Sequence, residues 1–324
     1  MESFTLIFLF SAVITFLITK WLKNYFFRSG IVAEDVHKPR KPILPTSGGV
    51  PVFLGFFFSV MLYAFLITYF LKSGEGLYEI TAAVLSISII TLIGFLDDIN
   101  VKGSIRTGLK QWEKPLMSLP AALPLMAVKL GTTMVTLPFV GAVELGLAYP
   151  LLLIPLGIMV GANMVNLLAG MNGLEAGAPL IYLTSLAFFT YVHSTSLAAK
   201  VIAFTALGAV LGFFPFNKFP AKMLTGDSFT YFMGAVLANI AIIGNVEKAV
   251  IILSIPFAIE FFLKLRGKLK MPTVGKNEKG KIVKRYPGIY SIPHFWMNGK
   301  YTESQIVKRV WAVFAVFAIL IWVL

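Results

Sequence analysis

Two adjacent carboxylates stand at the end of a long apolar run. Asp97 ends the apolar segment 79–97, Asp98 follows directly, and the next connection carries Lys114. Like charges repel, and carboxylates at the C-terminal end of a helix also oppose its macrodipole. A divalent cation would relieve both costs, although a plain helix end beside basic residues is the structural alternative. We therefore treat Asp97, Asp98 and Lys114 as candidate catalytic residues.

A second set of polar residues lies in GANMVNLLAGMNGLEAG, residues 161–177. Asn163 and Asn166 are three positions apart, so on a helix their amides share one face. Gly170 would let a ligand approach the backbone closely beside Asn172. Helix packing through small residues is the alternative for the glycines, but it leaves the asparagines unexplained. The pattern favours a binding site, in which Asn163 is a candidate substrate-binding residue.

The third set is MLTGDSFTYF, residues 223–232, in which Asp227 lies between a glycine and a serine. The plain alternative for Asp227 is a helix N-cap. The Gly-Gly loop within residues 37–51 is, taken alone, a weak phosphate-loop signal. The chain has no cysteine and three scattered histidines, which argues against a Cys or His metal site. Carboxylate and amide oxygens instead predict Mg²⁺, with Mn²⁺ as the alternative.

The elements that must position these residues are membrane spans. The 324 residues are 57% apolar and 13% charged, and the mean hydropathy is +0.83, which excludes an ordinary soluble domain. Apolar runs long enough to cross a bilayer recur along the whole chain. We predict an all-α polytopic membrane protein, a single domain of residues 1–324 with about ten spans: 4–22, 50–71, 79–97, 115–129, 147–168, 176–193, 197–214, 229–244, 248–265 and 306–324.

The basic residues predict the orientation. The net charge is +13, and of the 28 Lys and Arg residues all but Lys72, Lys129, Lys200 and Lys248 fall in or beside the connections after odd-numbered spans. The positive-inside rule places those connections, and with them the candidate site, in the cytoplasm and both termini outside. The charge is explained by topology, so no nucleic-acid partner is expected.

Two connections carry structure of their own. Residues 132–145 have β-branched residues around a glycine and predict a small hairpin on the outer side. Residues 266–305 form a long cytoplasmic loop before the last span, in which TVGKNEKGKIV predicts strand, turn and strand. A capping-box pattern, residues 302–305, opens that last span.

Four signatures in order, PTSGGVP, GFLDD, NMVNLLAGMNGLEAG and GDSF, resemble the polyprenyl-phosphate N-acetylhexosamine-1-phosphate transferases. The third signature is similar to the archaeal and eukaryotic branch, which makes GlcNAc-diphosphodolichol as the first step of lipid-linked oligosaccharide synthesis for N-glycosylation. The bacterial cell-wall branch has acidic residues where Ala169 and Asn172 stand. The resemblance therefore implies transfer of GlcNAc 1-phosphate from a UDP-N-acetylhexosamine to polyprenyl or dolichyl phosphate, with release of UMP.

The resemblance also implies roles for individual residues. Asp227 and Asn166 would hold Mg²⁺ on the diphosphate of the UDP-sugar, and Lys114 would contact the phosphates. Asp97 and Asp98 match the paired aspartates of the family, near the metal and the lipid phosphate.

Recognition of the nucleotide and the sugar follows the family pattern less closely. Gly170 and Asn172 fall where the family recognises the nucleotide base, but Leu224 replaces the expected aromatic residue. The Arg-His-Arg cluster that recognises the sugar in the eukaryotic type is absent, which leaves Arg285 and His294 as candidates.

A secondary transporter or flippase is the alternative from a different functional class. Transporters place coupling residues near the bilayer midplane, whereas these polar residues lie at one edge. The expected partners are the UDP-sugar, the lipid phosphate and the bilayer itself, and the sequence leaves a monomer and a homodimer equally open.

Overall fold

A computed structural model describes residues 2–323 except 39, 100, 103–104, 107 and 138–140. The chain is built mainly of helices that run back and forth along one bundle. They are α1 (Glu2–Arg28), α2 (Gly49–Tyr69), α3 (Leu77–Ile99), α4 (Glu113–Ser118), α5 (Leu123–Ala127), α6 (Ile154–Leu167), α7 (Leu174–His193), α8 (Leu197–Asn217), α9 (Gly226–Gly244), α10 (Glu247–Arg266) and α11 (Glu303–Leu320).

The predicted spans coincide with these helices, with two local differences. The fourth span, 115–129, is broken into α4, a 3-10 helix at Leu119–Ala122 and α5, because Pro120 and Pro124 each begin a new short helix and proline cannot continue a helical hydrogen-bond ladder. The fifth begins with a π-helical turn, Tyr149–Leu153, that leads into α6.

Six helices of the described chain are long and apolar enough to cross a membrane. They are Ser3–Arg28, Gly49–Tyr69, Leu77–Ile99, Tyr149–Leu167, Leu197–Asn217 and Gly226–Gly244. The chain is therefore an integral membrane protein of the all-α class, and the count of ten crossings stays a prediction.

Helix α9 forms the centre of the bundle, and nearly all of its residues are buried. It packs against α3 on one side and α6 on the other. Close approach to α6 depends on glycine, since a Cβ at Gly161 would lie 2.8 Å from the Gly234 carbonyl oxygen. This contact explains Gly161, the first glycine of the segment 161–177, by helix packing.

The Gly-Gly loop also packs closely against the residues at the start of α9. The amides of Gly48 and Gly49 donate to the carbonyl oxygens of Leu224 and Thr225, both at 3.1 Å. A Cβ at Gly49 would collide with the backbone of Phe229. These two amides hold the start of α2 against the start of α9 and are therefore not available to a phosphate.

Short antiparallel strand pairs occupy the connections. The predicted outer hairpin is formed by β5 (Met134–Leu137) and β6 (Gly141–Glu144), its turn lying outside the described residues, and the predicted pair in the long loop by β7 (Gly275–Glu278) and β8 (Lys281–Lys284). The capping box is present at the start of α11. Two further pairs were not predicted: β1 (Val32–Glu34) with β2 (Ile43–Pro45), and β3 (Val101–Lys102) with β4 (Ile105–Arg106).

Candidate active site

Four helices bring polar side chains together at one end of the bundle. Asp97 comes from the end of α3, Lys114 from α4, Asn166 from the end of α6 and Asp227 from the start of α9. The Lys114 ammonium lies 2.9 Å from Asp97 Oδ2 and 2.7 Å from Asp227 Oδ2. Asn166 Nδ2 donates to the same Asp227 oxygen at 3.0 Å. Three of the four sequence signatures thus meet in space, although up to about 130 positions separate them.

Asp98 does not join this cluster. Its carboxylate is buried and accepts hydrogen bonds from the Asp227 amide at 2.7 Å, the Ser228 amide at 3.2 Å and the Ser228 hydroxyl at 2.7 Å. Asp98 therefore caps the N-terminus of α9 from a different helix, where a negative charge is favourable. These bonds indicate a positioning role for Asp98, while its catalytic role stays a prediction, and the two neighbouring carboxylates have different partners.

Because Asp98 supplies the cap, the Asp227 side chain is left for the cluster. The plain N-cap alternative for Asp227 is not what is observed, since its carboxylate meets Lys114 and Asn166 instead of its own helix end. The Asp97 carboxylate is held on its other side by the amide of Leu109. Asp97 is thus held by a backbone amide as well as by Lys114, whereas Asp227 is held by the side chains of Lys114 and Asn166.

The two asparagines on α6 share a face toward α9, as the spacing predicts, but only one reaches the acids. Asn166 Oδ1 accepts from the Thr230 hydroxyl at 2.8 Å, which orients its amide toward Asp227. Asn163 instead accepts from Tyr231 at 3.1 Å and donates to the carbonyl of its own helix. Thr230 and Tyr231 follow the GDSF signature directly, and they were missed because they fall inside a predicted span.

A cleft of about 200 Å³ opens beside the acids. Its lining includes Asn166, Gly170, Asn172, Glu175 and Asp227. Gly170 has a φ of +109°, which favours glycine, and its amide donates to Glu175 at 2.8 Å. The structure therefore brings the predicted binding residues Gly170 and Asn172 to one cavity with Asn166 and Asp227.

A buried network holds the loop that carries Asn172. The Asn172 amide donates to Glu303 Oε1 at 2.7 Å, and its side-chain oxygen accepts from the Ala221 amide at 2.8 Å. Glu303, at the start of α11, also pairs with Lys38, which lies 3.3 Å from Asp35. The sequence pattern marks Glu303 only as a member of a capping box, so its contact with the binding loop was missed.

Neither candidate for sugar recognition lines the cleft among the residues described. His294 is buried in a 3-10 helix, Ile292–Phe295, where its Nδ1 accepts from the Tyr290 amide at 3.3 Å and burial lowers its pKa. Arg285 is exposed just after β8. The loop around His294 is anchored by Glu260 of α10, whose carboxylate accepts from the Ser291 hydroxyl and the Ile292 amide, both at 2.7 Å.

The donor set at the acids is compatible with a hard divalent cation. Within the described residues no three His, Cys, Asp or Glu side chains group as a metal site. Asp97 and Asp227 nevertheless offer carboxylate oxygens from two helices around one position, which the Lys114 ammonium faces and beside which Asn166 lies. Mg²⁺ is commonly held by one or two carboxylates, with phosphate oxygens and water completing its shell, and these residues fit that pattern.

Comparison with known proteins shows a family match over the part of the chain that contains these residues. The model of glycosyl transferase family 4 matches residues 80–245, a range that includes Asp97, Lys114, Asn166 and Asp227. A Saccharolobus solfataricus protein, provisionally named UDP-N-acetylglucosamine–dolichyl-phosphate N-acetylglucosaminephosphotransferase, is 33% identical over 96% of this chain and 94% of its own length.

More distant relatives come from two other groups of organisms. The Saccharomyces cerevisiae UDP-N-acetylglucosamine–dolichyl-phosphate N-acetylglucosaminephosphotransferase is 28% identical over 73% of this chain and 61% of its own. A Streptococcus thermophilus phospho-N-acetylmuramoyl-pentapeptide-transferase is 30% identical over 76% of this chain and 74% of its own.

Proposed function

The chain belongs to glycosyl transferase family 4, and we propose that it transfers N-acetylglucosamine 1-phosphate from UDP-GlcNAc to dolichyl phosphate or a related polyprenyl phosphate. UMP is the second product, and the lipid-linked sugar begins the oligosaccharide used in N-glycosylation. The observation that carries the proposal is the meeting of Asp97, Lys114, Asn166 and Asp227 beside a cleft. A transporter is disfavoured because this cluster lies at one end of the bundle.

Binding of the UDP-sugar uses the cleft and the charged cluster together. The uridine occupies the cavity lined by Gly170 and Asn172, and the diphosphate reaches Lys114. Asp227 and Asn166 would hold Mg²⁺, and Asp97 faces the same position. Bound Mg²⁺ would neutralise charge on the diphosphate oxygens.

The chemistry is a substitution at phosphorus. An oxygen of the lipid phosphate attacks the β-phosphorus, the bond from that phosphorus to the bridging oxygen breaks, and the electron pair leaves with UMP. A phosphate monoester with a second pKa near 6 is already ionised at neutral pH, so no general base is required. The protein contributes position and charge, and Lys114 offsets the charge that builds on the leaving phosphate.

The polyprenyl chain lies in an apolar groove of about 370 Å³ between α6, α9 and α10. Met164 and Val165 line this groove, directly before Asn166 in the chain, so the groove begins beside the cluster. Phe257 is the one phenylalanine in the described lining, and the other apolar residues there are mainly aliphatic.

The site faces the cytoplasm, where UDP-sugars are made, and both termini face outside, as the distribution of basic residues predicts.

The purified chain, given radiolabelled UDP-GlcNAc, dolichyl phosphate and Mg²⁺ in detergent, should form a chloroform-soluble labelled product and an equal amount of UMP. Asp227→Asn is the matched control, because it removes one charge from the cluster. Absence of both products in the wild-type chain, with all three components present, would contradict the proposal.

A further inference from the structure

A second cavity, of about 350 Å³, lies away from the active-site cleft, beside the end of α1. Its lining comes from three elements: the last two turns of α1, strand β2 and the connection between α8 and α9. The lining residues are Lys23, Asn24, Phe27, Arg28, Pro45 and Lys222. The cavity shares none of them with the cleft beside Asp227.

The charges around this cavity are all positive. Lys23, Arg28 and Lys222 line it, and it has no acidic lining residue in the described chain. None of the ion pairs found among the described residues involves these three side chains. The dipole of α1 favours Arg28 in its last turn, but Lys222 comes from a different connection. Three cations at one cavity therefore call for an anionic ligand.

The frame of the cavity is fixed by backbone hydrogen bonds. The Lys222 amide donates to the Phe216 carbonyl at 2.7 Å, and the Leu224 amide donates to the Pro45 carbonyl at 2.8 Å. Lys222 and Pro45 are thus held on neighbouring walls of the cavity. The backbone therefore fixes the walls from which the basic side chains extend, and Arg28 and Lys222 are exposed there.

The position of the cavity relative to the membrane indicates where its anionic ligand comes from. Helix α1 has 27 residues, about 40 Å at 1.5 Å per residue, whereas a bilayer core is about 30 Å thick. Its last turns expose Trp21, Tyr25 and Phe27, which are 67%, 54% and 55% accessible. Exposed aromatic residues of this kind mark the membrane interface. The cavity therefore opens at the level of lipid head groups.

We propose that this cavity binds the head group of an anionic phospholipid. The phosphate contacts Lys23, Arg28 and Lys222, and the acyl chains lie in the bilayer along the exposed face of α1. A soluble phosphate would satisfy the charges but would gain nothing from the exposed Phe27 beside them.

The test is native mass spectrometry of the full chain titrated with phosphatidylglycerol or with phosphatidylcholine of the same acyl chains. The wild-type chain should prefer phosphatidylglycerol at least about tenfold, since each basic residue near an anionic membrane surface contributes about fivefold. The triple variant Lys23→Gln, Arg28→Gln, Lys222→Gln should lose that preference. The control triple variant Lys268→Gln, Lys270→Gln, Lys276→Gln removes the same charge from the long loop and should keep it.

Three results would overturn the proposal. They are an unchanged preference in the cavity variant, an equal loss in the control variant, and displacement of phosphatidylglycerol by millimolar inorganic phosphate, which would assign a site for free phosphate. Lys222→Gln alone, on a connection outside the helix packing, should weaken the preference in the same direction. That single variant keeps the test decisive if the triple variant does not fold.

Discussion

At the scale of single residues, Lys114 is the cation that both active-site acids share. Its ammonium contacts Asp97 and Asp227, and in the proposed reaction it offsets charge on the diphosphate. Lys114→Met keeps the length of the side chain and removes the charge. We expect UMP release to fall at least about a hundredfold, the order found when one preorganised transition-state partner is removed.

Lys110→Met is the matched control for that variant. Lys110 is exposed and pairs with Glu113 across 3.6 Å, so its loss should leave the rate nearly unchanged. An unimpaired rate in Lys114→Met, or an equal loss in both variants, would exclude Lys114 from the chemistry.

The two neighbouring aspartates should give different phenotypes. Asp98→Ala leaves the α9 amides and Ser228 without their acceptor, and hydrogen bonds to a charged group contribute about 1.5–3 kcal/mol each. We expect a loss of stability on the order of 2 kcal/mol or more, measured as a lower melting temperature in detergent. Asp97→Asn should lower the rate with little change in melting temperature. The reverse pattern would contradict the division of tasks between them.

At the scale of elements, the loop between β1 and β2 is joined to β7 through a buried histidine. The Gly275 amide donates to His37 Nε2 at 3.0 Å, which requires this nitrogen to be unprotonated. Burial, and next the charge of Lys38, lower the pKa of His37 to about 4, while Asp35 opposes the shift. The contact between this loop and β7 therefore requires the neutral imidazole of His37.

The low pKa makes stability depend on pH in a defined direction. Between about pH 4 and 6.5 the unfolded chain binds the His37 proton and the folded chain does not. The stabilisation is complete above about 6.5 and is lost as the pH falls toward 4, with a slope of at most about 1.4 kcal/mol per pH unit. His37→Gln should flatten this part of the melting-temperature profile, and parallel profiles for variant and wild type would contradict the assignment.

The start of α11 acts on the binding loop through Glu303. Glu303→Gln keeps the shape of the side chain but weakens the pair with Lys38 and the hydrogen bond from the Asn172 amide. We expect KM for the UDP-sugar to rise several-fold while kcat changes little, because the loop lines the cleft but does not touch the reacting atoms. Glu278→Gln, on β7, is the control, and an unchanged KM in Glu303→Gln would remove the link.

The long helices were predictable because an apolar run of bilayer length has few other ways to satisfy its backbone. Pro120 and Pro124 account for the breaks in the fourth segment. The sequence analysis nevertheless predicted one continuous span there. The β1–β2 pair was missed because its three-residue strands carry too little pattern, and its register depends on contacts with Leu224 and Gly275 that are distant in sequence.

At the scale of the whole molecule, the sequence predicted that Asp97, Lys114, Asn166 and Asp227 share one end of the bundle. Alternating spans put their helix ends on the same side, so no tertiary contact had to be known. The contacts of Asp98 could not be predicted from the alternation of spans. It depends on which of two adjacent carboxylates points at the end of α9, and that is decided by helix packing.

The connections that follow odd-numbered spans also bond to one another. Pro45 accepts from Leu224, His37 from Gly275, and Asn172 from Ala221. These contacts join the first, third, fourth and fifth of those connections at the end that carries the active site. The joined end is also the end with most of the basic residues, which the positive-inside rule places in the cytoplasm.

The absence of cysteine allows this orientation to be tested with single introduced thiols. Lys276→Cys puts an exposed thiol on β7 in the long loop, and Gly74→Cys puts one between α2 and α3, where a Cβ meets nothing within 4 Å. A membrane-impermeant maleimide should label Lys276→Cys only in inside-out vesicles and Gly74→Cys only in right-side-out vesicles. Labelling of both thiols from one side would contradict the predicted alternation of spans. The opposite pattern would place the active site outside, away from the cytoplasmic pool of UDP-sugar.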